Sequence, residues 1–234
     1  MRGLLLFLYA AVGLLEVYAE YNNIHDLRHY TKPLLMPLLL GWYLAASSGT
    51  ERKLAKFVIP ALVFSWLGDM FLMFLPHEGA TELWGIAYNE NFFLAGLASF
   101  LLAHVAYILA FTLPFRHESQ KGIIRSKPWI PAILLLYGIG LIYWLFPHLG
   151  EFMVPVIVYA TVILLMVLFA INRLGRVSET AFWICLTGAL LFMFSDSMIA
   201  INKWPFPFEL SRPMIMITYI SGQLGIVAGL VWGE

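Results

Sequence analysis

Charged residues are scarce in this chain of 234 residues, since only 12% of them are Asp, Glu, Lys or Arg. Soluble domains contain about 25% charged and about 45–50% apolar residues. Here 61% of the residues are hydrophobic, and the mean hydropathy is +0.82. A soluble fold of this size could not bury so much apolar surface, and no polar stretch is long enough to form a separate domain. We therefore predict one membrane-embedded domain over residues 1–234.

Only one cysteine occurs, and Cys185 lies within an apolar run, which excludes an intramolecular disulfide. The formal net charge is zero, which gives no reason to expect binding to nucleic acid. The chain also lacks the HExxH, CxxC and GxSxG motifs, a glycine-rich phosphate loop and paired histidines at metal-ligand spacing. We therefore predict no metal site.

Eight apolar windows approach the roughly 20 residues that a helix needs to cross a hydrocarbon core of about 30 Å. They lie at 3–21, 32–48, 54–76, 91–113, 128–147, 151–172, 179–202 and 212–232. We predict an all-α polytopic bundle of eight transmembrane helices. The first 19 residues also loosely resemble a secretory signal peptide. A membrane helix is preferred because Glu16 and Glu20 suit a helix that faces other helices.

Basic residues in the predicted loops set the orientation of a membrane protein. Ten lie on the face that carries the N-terminus, namely Arg2, Arg52, Lys53, Lys56, Arg116, Lys121, Arg125, Lys127, Arg173 and Arg176. The opposite face has four, which are Arg28, Lys32, Lys203 and Arg212. We therefore predict both termini in the cytoplasm, with the chain in a bacterial inner membrane or an endomembrane.

A weak internal repeat joins the third and seventh windows, where Phe64–Asp69 parallels Leu191–Asp196. The third and seventh helices are four positions apart in the chain order, so both run in the same direction. Each segment ends on an aspartate that lies late in its helix, toward the non-cytoplasmic side. The pattern indicates a parallel repeat of four helices plus four, and chance resemblance between apolar segments is the alternative.

Acidic residues inside apolar windows are the most informative, because each costs about 2.5–3.5 kcal/mol on insertion scales. Asp69 and Asp196 are flanked on both sides by Met, Phe and Leu. A hydrogen bond that joins helices is the structural alternative for them, and we favour a functional role. Glu16 and Glu20 are four residues apart on one helical face, and solvation at the membrane interface is the alternative there.

Other polar residues fall at helical spacings that could serve the two aspartates. Ser65 precedes Asp69 by one turn, and His104 belongs to a stripe with Gly96, Phe100 and Tyr107. The alternatives are a satisfied core histidine for His104 and an ordinary snorkelling lysine for Lys32. The predicted supporting residues are Glu16, Lys32, Ser65, His104, Tyr107, Ser195, Tyr219 and Gln223. Small residues, among them Gly222, Gly225 and Gly229, predict close helix contact.

The residues assembled here resemble the YhhN family of membrane proteins, whose vertebrate members are lysoplasmalogenases. The shared segments are Lys32-Pro33, Ser65–Asp69, the stripe from Gly96 to Tyr107, Gly188–Phe192 with Ser195-Asp196, and Thr218-Tyr219 with Gln223. The resemblance covers nearly the whole chain. It implies eight transmembrane helices, no established cofactor and a lysophospholipid substrate taken from the bilayer. It also implies two functionally important aspartates, which map to Asp69 and Asp196.

Hydrolysis of a vinyl ether begins with protonation of the outer alkene carbon, after which water traps the oxocarbenium ion as a hemiacetal. The chemistry needs a carboxylic acid that keeps its proton near neutral pH and a carboxylate that stabilises the cation and activates water. Burial and a second nearby carboxylate both favour a protonated member of such a pair, as in glycosidases. We predict that Asp69 and Asp196 share this work, with the assignment of acid and base undecided. The residues that orient water and the ether, or contact the phosphate, are Lys32, His104, Tyr107, Tyr219 and Gln223.

Three other classes of membrane protein also carry buried polar groups. A proton- or ion-coupled transporter is the main alternative, because intramembrane acids mark ion pathways. No helix, however, shows a Gly/Pro break at matching positions in both halves. An intramembrane aspartyl protease would carry Gly-x-Gly-Asp where this chain has Trp66–Asp69. A metal-dependent hydrolase is disfavoured because His104 is the only clearly intramembrane histidine.

Overall fold

The computed structural model of the protein describes residues 1–47, 51–76, 81–112, 123–127 and 129–233. The helices in this part are α1 (Arg2–Tyr21), α2 (His25–Ala46), α3 (Glu51–Met73), α4 (Asn91–Thr112), α5 (Ile123–Ser126), α6 (Trp129–Leu149), α7 (Met153–Ile171), α8 (Glu179–Lys203) and α9 (Ser211–Val231). A short hairpin, β1 (Glu82–Leu83) and β2 (Ile86–Ala87), precedes α4. Residues 48, 113 and 128 at the ends of predicted windows, and the basic residues Arg116 and Lys121, lie outside the described residues.

Six helical runs in the described part of the chain are long and apolar enough to cross a membrane. One of them extends over 43 residues, Trp129–Ile171, and a 3₁₀ turn at Gly150–Phe152 divides it into α6 and α7. Gly150 has a φ of 48°, which lets the chain reverse there. These runs confirm a polytopic helical membrane protein. The count of eight crossings and the four-plus-four repeat are not established by this criterion and stay predictions.

Helix α2 begins seven residues before the apolar window that predicted it. Its first turns carry His25, Asp26 and Arg28, so the search for apolar residues excluded them. An acidic residue in the first turn stabilises a helix start through the helix dipole, and Asp26 occupies that place. The helix therefore extends about two turns beyond its apolar part.

A hydrogen bond between α2 and α3 compensates for a proline inside α2. Pro37 has no N–H, so the carbonyl of Pro33 loses the donor that a regular helix provides. The indole Nε1 of Trp66 donates to that carbonyl at 2.9 Å. Since a buried carbonyl needs a partner, this bond fixes α2 against α3 beside Lys32 and Ser65.

Helix α9 occupies the centre of the bundle and contacts α1, α2, α3 and α8. Close pairs form between α1 and α2, between α3 and α4, and between α8 and α9, while α4 also packs on α7. The main apolar core runs through these helices and includes Leu35, Phe100, Phe192 and Tyr219.

Both termini lie at one end of the bundle. The guanidinium Nε of Arg2 donates to the carbonyl of Ala45, and the rings of Trp42 and Trp232 are 6.4 Å apart. The opposite end therefore holds the ends of α1, α3 and α8 and the beginnings of α2 and α9. This agrees with the prediction that the termini share a face, and the cytoplasmic location of that face stays a prediction.

The contact between α8 and α9 depends on glycines, as the sequence predicted. A Cβ on Gly225 would lie 2.8 Å from Cα of Gly188 and 3.1 Å from the carbonyl oxygen of Ile184. A Cβ on Gly222 would lie 2.8 Å from the amide nitrogen of Phe192. These neighbours are backbone atoms, so only a shift of a whole helix could make room.

We expect Gly225→Ala to lower the thermal unfolding temperature of the purified protein in detergent, because overpacking costs about 1–3 kcal/mol. Gly140→Ala is the matched control, since a Cβ at Gly140 in α6 meets nothing within 4 Å. Both substitutions gain the same helix propensity of alanine over glycine. Equal unfolding temperatures for the two variants would show that α8 and α9 do not approach as closely as described.

Candidate active site

Asp69 lies late in α3 and is 3% exposed. The phenol of Tyr219 on α9 donates to its Oδ2 at 2.6 Å. The preceding residue, Gly68, leaves space for the ring of Phe100 on α4, because a Cβ there would lie 2.6 Å from ring atoms. Asp69 is therefore enclosed between α3, α4 and α9.

Gln223 connects three helices one turn further along α9. Its Nε2 donates to the hydroxyl of Ser65 at 2.9 Å, and its Oε1 accepts a hydrogen bond from the phenol of Tyr107 at 2.6 Å. All three side chains are fully buried. Buried polar groups are costly unless they are hydrogen-bonded, so this chain of contacts fixes the rotation of α9 and hence the position of Tyr219.

Asp196 on α8 has a different set of partners. The phenol of Tyr159 on α7 donates to its Oδ2 at 2.5 Å, and Nε2 of His104 on α4 lies 3.6 Å from the same oxygen. The imidazole of His104 is fully buried and packs edge-on against Tyr159, with 5.4 Å between ring centroids. His104 is therefore one short movement from a hydrogen bond with Asp196.

An aromatic layer separates the two aspartates. The rings of Phe100 and Phe192 contact Tyr219 with centroid distances of 5.9 and 5.4 Å, and Phe192 lies 4.7 Å from His104. Asp69 and Asp196 share no hydrogen bond, but they interact electrostatically through this layer. The two acids therefore have separate hydrogen-bond partners, and their shared role in catalysis stays a prediction.

The predicted supporting residues divide between the two acids. Tyr219 contacts Asp69, and Ser65, Tyr107 and Gln223 form the adjacent network on the same side. His104 belongs with Asp196. Ser195 donates to the backbone carbonyl of Ile215 at 3.1 Å and so connects α8 to α9.

Glu16 and Lys32 lie near Asp69 at the same end of the bundle. The hydroxyl of Thr31 donates to Oε2 of Glu16, and Glu16 is fully buried. Lys32 is 8% exposed and interacts electrostatically with both Glu16 and Asp69. Glu20 is also buried and forms an ion pair with Arg28 at 2.8 Å. Glu16 thus lies inside the bundle and Glu20 lines the polar cavity, and their supporting role stays a prediction.

Two adjacent cavities lie at this site, and Asp196 lines one of them. A polar cavity of about 260 Å³ opens at the end opposite the termini. An apolar cleft of about 50 Å³ has Asp196 and Tyr159 in its wall. The two share Leu72, Phe93 and Ile199 as lining residues. A polar group in the larger cavity would thus lie next to an apolar space bordered by Asp196.

The family model for the YhhN family matches residues 27–230. The chain belongs to the YhhN family. No solved structure matches it.

Several curated relatives of this YhhN protein are named as enzymes. A lysoplasmalogenase of Mycobacterium bovis is 31% identical over 205 residues, which cover 87% of this chain and 70% of the relative. Lysoplasmalogenase TMEM86A of Bos taurus is 32% identical over 197 residues, which cover 82% of this chain and 70% of the relative. Lysoplasmalogenase TMEM86B of Homo sapiens is 28% identical over 78% of this chain and 65% of the relative. Together with its apolar helices, these relatives identify the YhhN chain as a multi-pass membrane enzyme.

Sequence reasoning missed two kinds of site residue in this YhhN protein. Tyr159 stands alone in an apolar helix, and the only available signal was that a buried phenol needs a hydrogen-bond partner. Arg28 and Arg212 were counted only as loop charges, although both line the polar cavity. In the described residues, no three His, Cys, Asp or Glu side chains come together in a group that could hold a metal.

We expect Gln223→Leu to destabilise the protein by about 1–3 kcal/mol, because it leaves the buried hydroxyls of Ser65 and Tyr107 without a partner. The double variant Gln223→Leu/Tyr107→Phe should recover part of this loss, since the phenol is removed together with its acceptor. Unfolding in a denaturing detergent measures both. Thr218→Val is the control, because the hydroxyl of Thr218 is only partly buried and donates to the carbonyls of Met214 and Ile215 within its own helix. Strictly additive losses would contradict the network.

Proposed function

We propose that this YhhN protein hydrolyses the vinyl-ether bond of lysoplasmalogens to a fatty aldehyde and a glycerophospho-alcohol. The proposal depends on the position of Asp196. Its carboxyl group lies in the wall of an apolar cleft that shares lining residues with the polar cavity. A single-chain lipid has matching parts, since its chain is apolar and its head is polar. The relatives named lysoplasmalogenase support this substrate class.

In this proposal Asp196 is the acid that protonates the alkene. Its cleft is otherwise lined by apolar side chains and the phenol of Tyr159, surroundings that suit the neutral form of a carboxyl group. Tyr159 and His104 both address Oδ2, which leaves Oδ1 to carry the transferred proton. Proton transfer to the outer alkene carbon places the positive charge on the inner carbon and the ether oxygen.

Asp69 is the carboxylate of the pair. Burial acts on both acids, and each accepts one hydrogen bond from a phenol, Tyr219 for Asp69 and Tyr159 for Asp196. Asp69 differs in its electrostatic interaction with Lys32, and a nearby cation favours the charged form of a carboxyl group. The negative charge of Asp69 stabilises the oxocarbenium ion electrostatically across the aromatic layer. Water adds to the inner carbon and gives a proton back to the Asp196 carboxylate, which restores the acid. The hemiacetal then collapses to the aldehyde as the proton of its hydroxyl group passes to the leaving glycerol oxygen.

The orientation follows from the same proposal. With both termini in the cytoplasm, the polar cavity opens on the non-cytoplasmic face and receives lysophospholipid from that leaflet. The alternative of an ion-coupled transporter gains no support from the relatives, which are named as enzymes. Eight crossings and the parallel repeat of α3 with α8 belong to this proposal as well.

We expect Asp69→Asn and Asp196→Asn each to reduce aldehyde release from lysoplasmalogen by about a hundredfold to ten-thousandfold. Loss of a positioned acid or base removes about 10²–10⁴ in rate. Asp26→Asn is the matched control, since Asp26 is the one remaining aspartate in the sequence and is exposed at the start of α2. Gas chromatography of the aldehyde measures turnover, and gel filtration verifies folding. Near-normal turnover in either folded variant would remove that aspartate from the mechanism.

Hydrolysis in deuterium oxide tests the step assigned to the acid. Protonation at carbon should place one deuterium on the carbon next to the aldehyde group, detectable by mass spectrometry. It should also slow kcat, because a proton moves to carbon in the difficult step. The saturated ether lipid is the control and should yield no aldehyde. Aldehyde without deuterium at that carbon would exclude protonation of the alkene.

A further inference from the structure

Four cationic side chains stand in the wall of the polar cavity: Arg28, Lys32, Lys203 and Arg212. Two of them are neutralised locally. Arg28 forms an ion pair with Glu20 at 2.8 Å, and Lys203 forms one with Glu90 at 2.9 Å. The paired cations contribute no net charge with which to attract an anion.

The other two cations have no such pair. Neither Lys32 nor Arg212 has a carboxylate within 4.0 Å among the side chains that the structure describes. Arg212 is half-buried, and its Nη1 donates a hydrogen bond to the amide oxygen of Asn23 at 3.4 Å. Lys32 is almost completely buried between the cavity and Asp69. Among the described residues, Arg212 therefore has no carboxylate partner, and Lys32 adds a second cation, which also interacts electrostatically with Glu16 and Asp69.

We propose that this cavity binds the phosphodiester group of a single-chain glycerophospholipid through Lys32 and Arg212. The inference rests on the proposed function and adds the recognition of the headgroup. Arginine matches two phosphate oxygens with its planar fork, and lysine contributes a point charge. Hydrogen bonds between such ionised groups are roughly twice as strong as those between neutral groups.

Because the polar cavity and the apolar cleft are adjacent, the proposed phosphate contact would also position the ether group of the lipid. Three carbons of glycerol separate the phosphate oxygen from the ether oxygen of the substrate. A phosphate anchored at Arg212 and Lys32 thus extends the ether past Leu72 and Ile199, which border both spaces, toward Asp196. The headgroup contact fixes which bond of the lipid meets the acid.

Binding of saturated ether lipids tests the site apart from turnover, because these lipids contain no vinyl ether to hydrolyse. The affinities of a 1-alkyl lysophospholipid and of the matching 1-alkylglycerol are measured on purified full-length protein in nanodiscs. We expect the phospholipid to bind at least about tenfold more tightly to the wild type. Arg212→Gln should remove about tenfold of its affinity, which is about 1.4 kcal/mol, and leave the alkylglycerol unchanged. Lys53→Gln, an exposed cation at the other end of the bundle, is the control and should change neither.

The other possible outcomes distinguish failure of the headgroup site from failure of the proposed hydrolysis. Equal affinity of the two lipids for the wild type, or equal weakening of both by Arg212→Gln, overturns the headgroup site. Displacement of the lysophospholipid by inorganic phosphate alone, with an affinity that matches the lipid's own, assigns the cavity to free phosphate. If the expected binding pattern holds while the vinyl-ether lipid stays intact, the headgroup site stands and the proposed hydrolysis fails.

Discussion

A carboxyl group inside a membrane protein needs hydrogen-bond donors from the protein itself, because the lipid interior provides none. The rest of this bundle depends on how two such groups are satisfied. Asp69 receives the phenol of Tyr219 from α9, and Asp196 receives the phenol of Tyr159 from α7. Each donor comes from a helix other than the one that carries the acid. The contacts that make burial tolerable therefore also set the relative positions of the helices and enclose the site.

The two acids differ in their surroundings, and this difference gives the proposed chemistry its direction. Each acid accepts a hydrogen bond from a phenol, but Asp69 also interacts with the Lys32 cation, whereas Asp196 lies in the wall of an apolar cleft. The aromatic layer around Phe192 holds them apart while leaving them within electrostatic range. Separate environments for two carboxyl groups are the general means by which a protein assigns acid and base roles at one pH.

The sequence predicted the polytopic helical class and singled out two acids that the structure encloses between helices, because both signals are local. Membrane thickness fixes helix length, and charges are rare enough here for Asp69 and Asp196 to stand out. The contacts between side chains of different helices could not be predicted, since they depend on the rotation of each helix about its axis. His104 and Tyr107 share a stripe but lie three residues apart, which is about 300° of rotation, or about 60° between their directions. That angle is enough to direct them to different clusters, and Tyr159 had no neighbour in sequence to indicate its role.

If two buried carboxyl groups hydrolyse a vinyl ether, the protein must cleave the vinyl-ether bond and leave an ester bond intact. The products released from matched lipids show which bond is cleaved. Purified protein is incubated with a lysoplasmalogen and, separately, with the acyl lysophospholipid of the same chain length and headgroup, and fatty aldehyde and fatty acid are both measured. We expect the protein to release aldehyde from the vinyl-ether lipid and no fatty acid from the acyl lipid. Fatty acid from the acyl lipid, or no aldehyde from the vinyl ether, would contradict this expectation.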